Sequence, residues 1–124
     1  MKINHVCINV TDLDAAIEYY VKVLGFKLLT DIAFGDGDKM RWVEIGTGKP
    51  NSACFSLMKV AKKQGKSKSI ICTFDVEDCV KKYNELKKKG VAFVDAPKKE
   101  VWGRGCMFVD PFNNLYYMCD EIKG

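Results

Sequence analysis

Apolar and polar side chains alternate through the first ten residues: Val6, Ile8 and Val10 point one way while His5, Cys7 and Asn9 point the other, which predicts a half-buried strand. Thr11 or Asp12 then offers an N-cap. Leu13, Ala16, Ile17, Tyr20 and Leu24 recur at helical spacing until Gly25 supplies a stop. The helix should lay its apolar stripe on the even-numbered face of the strand, leaving His5, Cys7 and Asn9 on the opposite face. Three strands are expected next, at 26–34, 40–45 and 53–58, separated by the turns GDGD (35–38) and GTGKPN (46–51).

The same order of elements returns downstream. At an offset of 66 residues, Val6 pairs with Cys72, Ile8 with Phe74, Val10 with Val76 and Asp12 with Asp78, and after a slip of one, Gly25 meets Gly90. A strand at 69–76, a helix from about 78 to 89 and strands at 91–94, 105–109 and 115–121 follow from the pattern. Two copies of one module in so short a chain predict a single domain over 1–124: module one at about 1–58, a linker at about 59–68 and module two at about 69–122. The fold class is α+β, two βαβββ modules forming a curved eight-strand sheet system around a cavity, with one helix outside each module.

At 124 residues and 48% hydrophobic, the chain can bury a core but has no room for two unrelated domains. The net charge of +4 sits mainly in the Lys-rich stretches 61–68 and 81–89. Nucleic-acid binding would need aromatics interleaved with those bases, and only Tyr83 qualifies, at an inward position, so no nucleic-acid partner is expected. No run approaches the roughly 18 apolar residues of a membrane span, and the N-terminus lacks the character of a signal peptide. A cytoplasmic protein without a membrane partner is expected. The six cysteines (Cys7, Cys54, Cys72, Cys79, Cys106, Cys119) form no CxxC pair and read as reduced, mostly buried thiols.

HVCINVTDLDAAIEYYVKVLGF at 5–26 resembles the opening of the vicinal oxygen chelate superfamily, the glyoxalase/bleomycin-resistance/extradiol-dioxygenase group, and WGRGCMFVDPFNNLYY at 102–117 resembles its closing segment, usually written with DPDGN. The resemblance spans the chain and implies paired βαβββ modules with a cupped cavity, often completed in a homodimer. It does not imply one activity, because the fold serves isomerases, dioxygenases, thiol transferases and binding-only resistance proteins. Metal-dependent members resemble one another in four ligand positions, and carried over these fall at His5, Ser56, Ile71 and Tyr117. Only His5, the one histidine here, is a usual ligand, and a single imidazole cannot hold a divalent ion against water. A thiol–imidazole cluster of His5, Cys7 and Cys54 is conceivable for zinc, but no paired spacing pre-organises it. No metal, other cofactor or catalytic residue is therefore assigned.

The residues left to line a cavity are His5, Cys7, Trp42, Cys54, Ser56, Trp102, Arg104 and Tyr117, an apolar, sulfur- and aromatic-rich set suited to a small organic ligand, aromatic or anionic. Each has a plainer reading. His5 can be a hydrogen-bonded structural histidine, Trp42 and Trp102 core or interface residues, Arg104 a solvated side chain in a loop, and Tyr117 a filler of the space a metal would occupy. Activation of a Cys7 nucleophile by His5 is disfavoured, since residues two apart on a strand face lie about 7 Å apart. The expected partners are a small molecule and a second copy of the chain in a homodimer. A positive chain disfavours cationic ligands at long range. The alternatives are a metal-dependent lyase, isomerase or dioxygenase using His5 with an unconventional ligand set, and an interaction module with a collapsed cavity.

Overall fold

A computed structural model describes residues 1–34 and 40–120. The chain divides into two compact units, Met1–Lys63 and Gln64–Gly124. The first runs β1 (His5–Val10), α1 (Leu13–Glu18), a π-helical turn (Tyr19–Val23), β2 (Lys27–Phe34), β3 (Met40–Gly46) and β4 (Cys54–Lys59). The second runs β5 (Ile70–Asp75), α2 (Cys79–Lys88), β6 (Ala92–Phe93), β7 (Lys98–Glu100), β8 (Gly103–Val109) and β9 (Leu115–Cys119). The expected turn at 35–38 and the end of the last expected strand lie outside the described residues.

The repeat extends to capping geometry. Asp12 and Asp78 adopt nearly the same extended conformation, φ/ψ −143/110 and −141/106, and each carboxylate accepts the backbone N–H three residues on at 3.0 Å. The helices that follow run toward Gly25 (φ +86) and Gly90 (φ +91), left-handed positions where a side chain would be strained. Tyr19 departs from the repeat, because its carbonyl accepts from Leu24 in a π-type bond and adds a wide turn that helix two lacks.

The sheet of the first unit has the order β1-β4-β3-β2, with β1 and β4 parallel and the rest antiparallel. Its core is built on one face, where Ile8, Val10, Val43, Ile45 and Leu57 are essentially inaccessible beneath Leu13, Ala16 and Tyr20 of the helical segment. The second unit repeats this with β5-β9-β8-β6, parallel between β5 and β9, and β7 also pairs with β8. Its core is Cys106, Phe108, Tyr116 and Met118 with Cys79 and Leu86 of α2. Two βαβββ modules of an α+β fold are thus present.

There are nine strands among the described residues where eight were expected. The strand that is continuous as β2 in the first unit is divided into β6 and β7 in the second. Pro97 has no N–H to contribute to a ladder, and the Asp95 carboxylate takes the Met107 N–H at 2.8 Å. The segment read as a plain linker also carries an anchor. Gln64 donates to the Phe112 carbonyl and to Asn114 Oδ1, and its own carbonyl accepts from Asn113 Nδ2.

On the core side of the first sheet, Arg41 forks onto both oxygens of Asp31 at 2.8 Å and also reaches Asp14 at 2.8 Å, tying α1 to the β2–β3 hairpin. The hydrogen bond from Arg41 holds the Asp31 carboxyl below the usual range, against a smaller opposing effect of burial. A folded-state pKa below the unfolded value gives stability that is complete above the unfolded pKa and is lost as pH falls through the folded one. Unfolding midpoints followed by circular dichroism should therefore drop below about pH 4. Arg41→Ala should remove about 1 kcal/mol at neutral pH and flatten that acid limb, and an unchanged limb would dismiss the clamp as a stabiliser.

Candidate functional site

The face of the first sheet turned away from the helix carries its chemistry in rows across the strands. Cα partners run Cys7–Ser56–Glu44–Thr30 through β1, β4, β3 and β2, a polar row four strands wide. His5 and Cys54 are partners on one flank, Asn9 and Met58 on the other, and Trp42 stands opposite Ile32. A bulge between Leu28 and Thr30 shifts the phase of β2 and brings Thr30 opposite Glu44. Five of the expected residues, His5, Cys7, Trp42, Cys54 and Ser56, are therefore brought onto one face of one unit.

His5 and Trp42 meet edge to face, ring centroids 5.3 Å apart and planes at 87°. Such aromatic pairs add attraction beyond their buried area. His5 Nδ1 lies 2.7 Å from Asn4 Oδ1. An amide oxygen only accepts, so Nδ1 is the donor of that bond. Beside this pair is Glu44, which the sequence reading did not single out. Cys54 Sγ donates to Glu44 Oε2 at 3.3 Å. Burial pushes the carboxyl up, yet hydrogen bonds from Trp42, Cys54 and Thr30 and the influence of His5 prevail and hold it below its ordinary value. Glu44 is thus an oriented carboxylate on an aromatic-walled sheet face.

Cys54, Cys72 and Cys106 are not set up as nucleophiles. Burial and then the Glu44 carboxylate raise the Cys54 pKa, opposite to what activation requires. Burial likewise pushes Cys72 up to about 11 and Cys106 up to about 12. The six cysteines are all free, but against the expectation of mostly buried thiols only Cys79 and Cys106 are buried, Cys54, Cys72 and Cys119 being half-buried and Cys7 exposed.

In the second unit, Thr73, Tyr117 and Met107 are Cα partners across β5, β9 and β8 on the face turned from α2. The Tyr117 hydroxyl accepts from Trp102 Nε1 at 3.0 Å. Its ring lies directly over Gly105, so closely that a Cβ there would collide with Oη, Cζ and Cε1. Burial raises the Tyr117 pKa despite the lowering effect of the Trp102 bond, so the phenol keeps its proton at neutral pH and is no base. Arg104 is not in a swinging loop. It is a strand residue paired with Lys99, its N–H donates to Asp120 Oδ1 at 3.0 Å, and alternation along β8 puts its side chain on the face opposite Tyr117.

The ligand positions implied by the resemblance do not fit a divalent ion. Ser56 is fully buried with its hydroxyl toward Met58 Sδ at 3.8 Å, and Tyr117 is a neutral phenol engaged with Trp102. Among the described residues no three His, Cys, Asp or Glu side chains are grouped so as to hold a metal, the conceived His5–Cys7–Cys54 cluster included.

Known proteins place this architecture. The chain is 34% identical over 124 residues to the uncharacterized protein YurT of Bacillus subtilis, covering 93% of this chain and 95% of that one. A crystal structure of a glyoxalase/bleomycin resistance protein/dioxygenase superfamily member from Sphaerobacter thermophilus superposes with a TM-score of 0.80 at 25% identity, over 98% of each chain. TnmS3, an antibiotic binding protein from Streptomyces sp. CB03234, superposes with a TM-score of 0.77 at 25% identity, over 98% of this chain and 96% of that one. Among the described residues no helix is long and apolar enough to cross a membrane. The repeated βαβββ order is matched by a family model over residues 2–116, and the chain belongs to the Glyoxalase/Bleomycin resistance protein/Dioxygenase superfamily.

Proposed function

We infer that this protein binds a small organic molecule on the open face of the β1-β4-β3-β2 sheet, by shape and hydrogen bonding and without metal chemistry. The observation that carries the reading is the convergence of His5, Trp42, Glu44 and Cys54 on that face, a few oriented polar atoms beside aromatic rings. Such a mixture is what fixes a small ligand in place. The donor set is wrong for the metal that lyases, isomerases and dioxygenases of this group would need, and a relative of the same fold, TnmS3, is an antibiotic binding protein. The exposed apolar side chains Ile32, Phe34, Met40 and Met58 on or beside this face support either an apolar ligand wall or a homodimer contact. We extend the reading to a cytoplasmic homodimer whose chains are each one domain of two repeats, and sedimentation at about twice 14.0 kDa is expected. On the second unit's open face, Trp102 and Tyr117 offer a further aromatic surface.

The test is a fragment screen by ¹H–¹⁵N NMR on untagged protein, with elemental analysis of the same sample. Binders should move the Trp42 indole N–H and the amides of His5 and Glu44, Trp42→Ala should weaken them about tenfold or more, and metal should stay well below one per chain. One tightly held ion per chain, lost in His5→Ala, would reverse the reading in favour of a metal-dependent enzyme.

A further inference from the structure

Resting on that reading, we propose that the ligand of this face is an organic cation, a protonated amine on an apolar body, with its charge seated on Glu44 and its body against Trp42. Net charge alone favours neutral or anionic ligands, and Glu44 changes that expectation.

Glu44 accepts from the neutral Cys54 thiol at 3.3 Å, shares its row with the neutral Thr30 and its strand face with Trp42, and feels His5 only as the last and smallest of the influences on its carboxyl. They orient the carboxylate without cancelling its charge. Among the described residues no lysine or arginine forms an ion pair with it, although Arg41, three positions away, is fully engaged by Asp31 and Asp14. An ionised carboxylate held by neutral donors on a half-buried face has a vacancy for positive charge, and a charge-assisted hydrogen bond from an ammonium group is the interaction that fills it. The indole of Trp42 is the best of the side-chain rings for attracting such a cation, and Trp42 stands two residues from Glu44 on the same strand, on the same face.

The net charge of +4 does not outweigh this. Most of the excess lies in the Lys-rich stretches 61–68 and 81–89, and of the basic residues on β1 to β4, Lys27, Arg41 and Lys59, none forms an ion pair with Glu44. At physiological salt, exposed charges more than about 8 Å away are largely screened. Long-range repulsion would slow the approach of a cation, while the contact with Glu44 would set its residence.

A matched series of probes tests this: 3-phenylpropylamine, 3-phenylpropan-1-ol and 3-phenylpropionate have similar shape and differ in charge. Titrations are followed by the Trp42 indole N–H, assigned by its persistence in Trp102→Phe. The amine should bind about tenfold more tightly than the alcohol, a charge-assisted bond exceeding a neutral one by that order, and the carboxylate more weakly than either. Glu44→Gln keeps the size of the side chain and an acceptor oxygen, and should erase the amine's advantage over the alcohol, whatever it does to the binding of both. Independently of any variant, added salt should weaken the amine and not the alcohol. Binding of the alcohol or the carboxylate at Trp42 without preference for the amine would overturn the cation proposal and leave the binding face standing. Silence of all three probes at Trp42 would overturn both, and an amine preference that survives Glu44→Gln would remove Glu44 from the proposal.

Discussion

Asp110→Ala is expected to cost about 3 kcal/mol or more of stability, the largest loss among substitutions outside the apolar core. Asp110 is 3% exposed and sits at the start of the turn between β8 and β9. One carboxylate oxygen accepts the backbone N–H groups of Phe112 and Asn114, both at 2.8 Å, and the other accepts Asn114 Nδ2 at 2.7 Å. Asn114, 2% exposed, passes the chain of bonds on by accepting from Gln64 Nε2 at 2.8 Å. Removal of the carboxylate strands three donors in a buried turn, each costing about 1–3 kcal/mol if nothing replaces the acceptor, and water entering the turn recovers part of that. Asp110→Asn should be milder, because one oxygen can still serve the two backbone donors while an amide then faces the Asn114 amide. The exchange Asp110→Asn with Asn114→Asp restores a complementary pair and should recover part of the loss in urea unfolding. A loss below about 1 kcal/mol for Asp110→Ala would show that the turn holds without its carboxylate. The family-like DPFNN segment thus works as a structural turn, which is why the resemblance is strong there although no ligand chemistry is.

The element order and the module repeat were readable because the two relevant periods, two for strands and 3.6 for helices, are local properties of the chain. The alternation of β1 and of β4 separates His5, Cys7, Cys54 and Ser56 from the core residues, and the parallel register of the two strands sets them side by side. Glu44 was legible in part. Val43 and Ile45 are core residues of MRWVEIG, so Trp42 and Glu44 must face the other way. What local pattern does not carry is which strand β3 pairs with and in what phase, nor the bulge that brings Thr30 opposite Glu44. Arg104 was read as a loop residue because flanking glycines usually signal a turn. Gly105 instead serves to leave room above the strand, a demand made by a residue twelve positions away.

Gly105→Ala should accordingly destabilise the second unit by about 1–3 kcal/mol, the usual range for overfilling a packed site. Gly105 is not among the glycines with positive φ, so the backbone there does not oppose alanine. The opposition comes from the Tyr117 ring, which occupies the volume the new methyl group would need. Tyr117 cannot stay, and when it swings away its hydroxyl leaves Trp102 Nε1. The Trp102 indole N–H resonance should then shift toward that of Tyr117→Phe, in which the acceptor is absent but the ring remains. Combining Gly105→Ala with Tyr117→Ala separates crowding from any other fault: the double variant should be at least about 1 kcal/mol more stable than the sum of the single losses. Additive losses, with an unmoved Trp102 resonance in Gly105→Ala, would mean that the ring does not rest on Gly105. Coupling of that size would identify Tyr117 as an aromatic plate clamped between Gly105 and Trp102, at the strand position where metal-dependent relatives of this fold are expected to carry a carboxylate.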